Sequence, residues 1–318
     1  MKTLLTETAR QLREKDNILI LTHAHPDGDT LGGAYALCRA LLSLQKKADV
    51  LCEDEIPKAY RFMAQGLGPV SFEPEYIVAV DVASQKLLGE SVEARFGGRV
   101  DLCIDHHLSG DFKAETVLND DTASSAAEVV FSLLKEMKID ITPIISECIY
   151  AGLSTDTGCF RYANVTSASF RAAAELIDLG ADFARLNREL FETKSKSFAA
   201  LERMALNSVE THCDGLFALI AVTQAMLEES GSRGDDFDRI SALPRQLEDV
   251  LVGATLREQT DGTFKASVRT NPPVSAADIC KKMNGGGHFS AAGCTLGGPL
   301  DAARDTLLTH VKNALETL

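Results

Sequence analysis

The chain has 318 residues, 45% of them hydrophobic and 25% charged, with a formal net charge of −14. That length suits about two domains, each able to bury its own core, and the composition excludes a disordered chain or a fibrous repeat. The acidity excludes a broad footprint for long duplex nucleic acid, which demands a basic face. Small phosphate compounds stay open as partners, because bound divalent cations invert the local field whatever the global charge.

In chain order, a polar helix over 6–14 leads into the apolar run Ile18-Leu19-Ile20-Leu21, which ends abruptly at Thr22-His23-Ala24-His25-Pro26-Asp27-Gly28-Asp29. A helical pattern follows from Leu31 to Leu44. The unit of strand, polar turn and helix then recurs. Strands are expected at 48–52, 76–80 and 100–104, the last two running into Asp81 and into Asp105-His106-His107. Helices are expected over 122–137 and from Thr142-Pro143 through Ile149, giving way to Ser154-Thr155-Asp156-Thr157-Gly158. The pattern predicts an α/β fold with a mostly parallel N-terminal sheet flanked by helices, whose site lies at the carboxyl ends of the strands.

Residues 167–206 read as helical, with Glu192 to Ser197 as the polar linker. Beyond it the rhythm changes to strands at 216–222, 250–256 and 264–269, with Asp261-Gly262 as a hairpin turn. Helices at 275–283 and 301–315 flank Gly285-Gly286-Gly287-His288. This predicts a first domain over 1–190, a helical linker over 191–205, and a smaller α/β domain with a mixed sheet over 206–318. No apolar run approaches the ~18 residues that span a bilayer, and 1–17 has no signal-peptide core. A cytosolic chain with no membrane partner is expected. The eight Cys residues are scattered without a CxxC pair and read as small core residues rather than disulfides or thiol ligands.

The chemistry concentrates in the four polar segments. His23, Asp27 and Asp29 offer an imidazole and two carboxylates within seven residues, a donor set suited to Mn²⁺, Mg²⁺ or Fe²⁺. On an extended turn, residues two apart project to one side, with Gly28 letting the backbone bend. Each segment alone has a bland explanation, as a solvated loop or a helix cap. Four of them at the edge of one sheet do not.

These segments, taken with Gly285-Gly286-Gly287-His288-Phe289-Ser290-Ala291-Ala292-Gly293, resemble the motifs of the DHH family of phosphoesterases and its DHH-associated C-terminal domain, in the same order and over essentially the whole chain. The resemblance implies two divalent cations, Mn²⁺ foremost with Mg²⁺, Co²⁺ or Fe²⁺ as substitutes. One would be held by His23, Asp27 and Asp81, the other by Asp29, Asp81, His106 and Asp156, with Asp81 bridging. Asp105 would orient a histidine and His107 would face the substrate phosphate. Ser154, Thr155 and Thr157 would be positioning groups, and His25 is not required.

The glycine run and His288 would bind an anion through open backbone N–H groups. Arg269 and Arg161 are candidates for further substrate contacts, and each also suits a structural ion pair. Phe289 and Ser290 stand where oligoribonuclease members of the family often carry a basic residue, and Phe289 reads as a core side chain. The resemblance implies hydrolysis of very short oligoribonucleotides or of the 3′-phosphate of pAp. Its alternatives are a cyclic or linear dinucleotide phosphodiesterase, an exopolyphosphatase or pyrophosphatase, and a non-enzymatic nucleotide sensor. A homodimer is compatible with the chain.

Overall fold

The computed structural model describes residues 2–68, 71–108, 110–232 and 237–317. The chain divides into two compact units, Met1–Thr193 and Lys194–Leu318.

The first unit is built on α1 (Lys2–Glu14), β1 (Ile18–Leu21), α2 (Gly28–Ser43), β2 (Ala48–Leu51), β3 (Tyr76–Val80), α3 (Glu90–Phe96), β4 (Leu102–Asp105), β5 (Thr116–Asn119), α4 (Ala126–Glu136), α5 (Pro143–Asp156), α6 (Ser167–Asp178) and α7 (Phe183–Asn187). Its five strands run parallel in the order β2-β1-β3-β4-β5. The central strands are apolar throughout because both faces of the sheet are covered. Alternate residues serve alternate faces: Ile18, Ile20, Val78 and Val80 pack with helices α1, α2, α4 and α5, while Leu19, Leu21, Ile77 and Ala79 pack with Val92 and Phe96 of α3. Edge strand β5, Thr-Val-Leu-Asn, is only partly buried and carries no comparable apolar run. The strand order reverses direction at β1 and β3, which opens a crevice at their carboxyl ends.

Two helices are longer than their sequence pattern indicates. Helix α2 starts at Gly28, capped by the Asp27 carboxylate, which accepts hydrogen bonds from Asp29 N and Thr30 N at 2.9 and 3.1 Å. The expected extended turn across Asp27 and Asp29 is therefore a helix start. Helix α5 runs on through Asp156 rather than giving way before it, because Ser154, Thr155 and Thr157 return their hydroxyls to carbonyls one turn back. Glycines let α2 and α5 approach closely. A Cβ on Gly28 would lie 2.3 Å from Thr155 Oγ1, and one on Gly32 would lie 2.4 Å from the Cys148 carbonyl. Gly28 thus serves contact between helices, not a backbone bend.

The second unit contains α8 (Lys196–Asn207), β6 (Glu210–His212), β7 (Phe217–Val222), α9 (Gln224–Ser230), α10 (Phe237–Ser241), β8 (Val252–Glu258), β9 (Phe264–Thr270), α11 (Ala276–Lys281), β10 (Gly286–His288), β11 (Ala291–Leu296) and α12 (Leu300–Leu315). Its mixed sheet has the order β10-β11-β9-β8-β7-β6, with only β7 and β8 parallel. Helices α11 and α12 close one face over Ala254, Ala266, Val268 and Ala292. On the other face, Phe198, Leu201 and Ala205 of α8 pack on Ile220 and Val222, so three side chains of the segment expected as a linker lie in the core of this unit. No helix among the described residues is long and apolar enough to cross a membrane.

Candidate metal centre

The carboxyl ends of β1, β3 and β4 deliver three of the four polar segments to the crevice, and the last turn of α5 delivers the fourth. His23 lies two residues past β1, Asp81 one past β3, and Asp105 ends β4. Among the groups of potential ligand atoms that lie within 4.8 Å of one another, two join the four segments: His23, Asp27 and Asp81, and Asp29, His106 and Asp156. His23 Nε2 is 3.6 Å from Asp27 Oδ1 and 3.8 Å from Asp81 Oδ2. His106 Nε2 lies 3.7 Å from each of Asp29 Oδ2, Asp81 Oδ1 and Asp156 Oδ2. Asp81 thus faces both groups, one oxygen toward each.

Every other polar contact of these side chains fixes them. His23 Nδ1 meets the Ala24 carbonyl at 2.8 Å and His106 Nδ1 the Ala123 carbonyl at 3.4 Å. Both contacts place the ring proton on Nδ1 and leave Nε2 free to coordinate. Asp29 accepts from Ala126 N and Ala127 N at 2.7 and 2.9 Å, so it caps α4 and receives the positive end of that helix. Asn164, which carries no sequence signal, reaches the backbone carbonyl of Asp156 at 3.2 Å and its Oδ2 at 3.4 Å. Thr30 Oγ1 ties α2 to the Val80 carbonyl at 2.7 Å.

Asp81 is the anomaly. It is 5% exposed, its φ is +59°, and its Oδ1 has no hydrogen-bond partner among the described residues. Burial, then the charge of Asp27, Asp105 and Asp156, drives its carboxyl well above the ordinary 3.8. Burial and the charge of Asp81 do the same to Asp29. Ionised carboxylates as close as Asp27 and Asp81, whose ligand oxygens lie within 4.8 Å, repel by roughly 3–4 kcal/mol at an effective dielectric of ~20. A buried acceptor left without a donor costs about 1–3 kcal/mol more. A cation removes both penalties, and the oxygen and imidazole donors fit a hard or borderline divalent ion.

Asp105 behaves differently. Burial alone would raise its carboxyl, but His107 and two backbone amides hold it below the ordinary range. Its Oδ1 takes His107 Nδ1 at 2.8 Å, His106 N at 2.8 Å and His107 N at 3.4 Å. That hydrogen bond raises the His107 imidazole above its ordinary 6.5. His107 Nδ1 also lies 3.6 Å from Asp81 Oδ1, which makes Asp81, His106 and His107 a third group of potential ligand atoms. The shorter bond to Asp105 already occupies that nitrogen, leaving Nε2 of a half-exposed ring to face outward.

Other expected contributors stand apart. His25 is on the surface, paired with Asp54 at 2.9 Å. Arg161 is exposed on the turn after α5, with Nε on the Gly158 carbonyl at 2.5 Å. Ser154, Thr155 and Thr157 donate their hydroxyls to carbonyls of their own helix.

In the second unit the glycine run is a strand, not a loop. Gly286 to His288 form β10, paired antiparallel with β11. Phe289 and Ser290 make the turn between them, and Phe289 is 54% exposed rather than core, because a hairpin tip cannot reach the interior. A Cβ on Gly285 would lie 2.2 Å from the Gly293 carbonyl, and one on Gly287 2.5 Å from that of Ala291. Packing therefore explains these two glycines. It does not explain Gly286, whose added Cβ would enter open space. Arg269 and His288 each pair with Ala291 in register, from either side of it.

Residues 17–153 match the DHH family N-terminal domain and residues 220–317 the DHHA1 domain. The chain is 34% identical to the bifunctional oligoribonuclease and PAP phosphatase NrnA of Thermus thermophilus, over 94% of this chain and 90% of that one. The chain belongs to the DHH family. It is a phosphoesterase by that membership, and its fold has solved counterparts. An exopolyphosphatase-related protein from Bacteroides fragilis superposes with a TM-score of 0.89 at 24% identity, covering 98% of this chain and 96% of the other. The Mn²⁺ complex of RecJ from Thermus thermophilus superposes at 0.55 with 16% identity, covering 97% of this DHH-family chain and 55% of RecJ.

Proposed function

We propose that this protein is a two-metal enzyme that hydrolyses very short oligoribonucleotides to mononucleotides and removes the 3′-phosphate of pAp in the cytoplasm. The metal part rests on the Asp81 carboxylate, buried, without a hydrogen-bond partner at Oδ1 among the described residues, and facing both His23 and His106. Asp27, Asp29, Asp81 and Asp156 bring a formal charge of −4 from four carboxylates, which two divalent cations match. His23, Asp27 and Asp81 hold one, and Asp29, Asp81, His106 and Asp156 the other, with Mn²⁺ foremost and Mg²⁺, Co²⁺ or Fe²⁺ as substitutes. Bound there, the cations neutralise phosphoryl oxygens and acidify water.

The chain's own residues do the rest. Asp105 keeps His107 charged, so its outward Nε2 donates to the phosphoryl group or to the leaving oxygen. Arg161, exposed on the turn after α5, takes a substrate phosphate by turning its guanidinium from the Gly158 carbonyl. The first unit carries the chemistry, and the second supplies substrate contacts from Arg269, His288 and the backbone of Gly285 to Gly287. The substrate class is drawn from the Thermus relative, whose similarity extends through both units.

Replacing Asp105 with Asn removes the anion that holds His107 charged. A 10–100-fold fall in kcat is expected, as for other outer partners of an active-site histidine (about that range), together with a shift of the alkaline limb of the pH–kcat profile to lower pH. A limb that stays in place separates His107 from the reaction. The reading as a whole is tested by a substrate panel with Mn²⁺: ribonucleotide dimers to pentamers, pAp, a cyclic dinucleotide, pyrophosphate and polyphosphate. Turnover of the short RNAs and pAp is expected. Turnover confined to the cyclic dinucleotide, or to pyrophosphate or polyphosphate, overturns the substrate assignment.

A further inference from the structure

The outer face of the second unit's sheet is only half covered. Along β9, Phe264, Ala266, Val268 and Thr270 are buried and Lys265, Ser267 and Arg269 turn to the opposite face. Residues directly opposite on antiparallel strands share a face. Register therefore adds Ala291, Gly293 and Thr295 of β11, and His288 and Gly286 of β10, to the same surface. Helix α8 and its neighbours pack over β7 on this side. The strip formed by β9, β11 and β10 remains accessible.

This strip is a trough with a floor of small residues and a cation at each end. Ser267, Ala291, Gly293 and Gly286 form the floor, with Arg269 and His288 at one end and Lys265 at the other. Around Lys265 the surface deepens into a pocket of about 540 Å³, lined also by Asn284, Gly285, Gly286 and Thr295, with Met283 and Cys294 on its apolar side. Among the described residues no carboxylate lines it, in a chain whose net charge is −14. Lys265 is exposed, and among the described residues its ammonium has no ion-pair partner. Ammonium, amide and hydroxyl donors over bare glycine backbone make a site for an anion rather than for a cation.

Four residues of strand at about 3.3 Å each separate Lys265 from Arg269 by ~13 Å, a span that takes more than one nucleotide. We infer that the Lys265 cavity binds a non-reacting phosphate of an oligoribonucleotide, so that Lys265 sets preference for chain length. This rests on the substrate class proposed above. A mononucleotide such as pAp, bound through Arg269 and His288 as the proposed function has it, is too short to extend to it.

The test is Lys265→Gln in the full-length Mn²⁺ enzyme, with Lys265→Arg as the charge-preserving control. For a ribonucleotide pentamer, KM is expected to rise about tenfold, and the slope of log KM against log salt to fall by about 0.7, the single-strand value for one phosphate contact. KM for pAp is expected to stay within twofold, and Lys265→Arg to behave as wild type. Unchanged KM and salt slope for the pentamer overturn the inference. An equal loss on pAp also overturns it, because Lys265 would then contact the reacting nucleotide. Should the wild-type enzyme turn over neither RNA nor pAp, the proposed function fails by itself. Fluorescence anisotropy with a hydrolysis-resistant phosphorothioate pentamer still decides the cavity, since Lys265→Gln must weaken that binding about tenfold.

Discussion

Replacing Asp81 with Asn is expected to lower kcat/KM by about three orders of magnitude or more, since losing one electrostatic contact to a reacting group alone costs ~10²–10³-fold and Asp81 serves both cation groups. Asn is the informative substitution. It keeps the size of the side chain and tolerates the left-handed backbone, φ +59°, at a position where Ala adds roughly 1–2 kcal/mol of strain. What changes is the charge between His23 and His106. Isothermal titration with Mn²⁺ should show the loss of tight binding at both positions, because Asp81 presents an oxygen to each. The metal-free variant should unfold at a higher temperature than the metal-free wild type, since the substitution removes a buried, repelled carboxylate. Activity within tenfold of wild type sinks the metal assignment.

The centre of the sheet was legible because its strands are buried on both faces. Ile18 to Leu21 and Tyr76 to Val80 are uninterrupted apolar runs, and their bounds match the structure. Strand β5 lies at an edge, has only Val117 and Leu118 as apolar residues between Thr116 and Asn119, and gives no such signal. The starts and ends of helices were less legible where a functional residue doubles as a structural one. Asp27 caps α2 and Asp29 caps α4, so the segment reads as a polar turn when it is the start of a helix. Helix α5 continues through Ser154 to Asp156 because small hydroxyl residues satisfy themselves on carbonyls one turn back, which composition alone does not reveal.

For the candidate site, the residue types and their order pointed to the polar segments that the fold brings together, while the supporting contacts could not be read. Asn164 sits eight residues past Asp156 and beyond any spacing rule. The role of Gly28 is visible only once Thr155 packs against it. In the second unit, three consecutive glycines look equivalent in sequence, yet packing demands Gly285 and Gly287 and leaves Gly286 unexplained. Phe289 shows the converse error. An aromatic residue beside a glycine run suggests core, but a two-residue hairpin turn holds it in solvent.

Removing the cations is expected to silence the enzyme and to make its stability fall as pH rises. Asp29 and Asp81 have carboxyls raised above the ordinary 3.8 by burial and by neighbouring carboxylates. The folded metal-free protein therefore holds protons there that the unfolded chain has already released. Stability from such groups is complete below the unfolded value and is lost as pH climbs through the folded one. His107, raised above 6.5 by Asp105, and His23, raised by Asp27 against the effect of burial, lose theirs in the same direction at higher pH. Bound cations replace the missing protons, and protons compete with them less as pH increases, so the unfolding temperatures with and without Mn²⁺ should diverge from pH 5 to pH 8. Thermal unfolding of the EDTA-treated and Mn²⁺-loaded chain across that range checks this, with activity returning when Mn²⁺ is restored. Parallel curves would mean that the carboxylates carry no charge a cation must meet. The metal-free Asp81→Asn variant should lose less stability over the same range than metal-free wild type, which ties the slope to this one side chain rather than to the acidity of the chain as a whole.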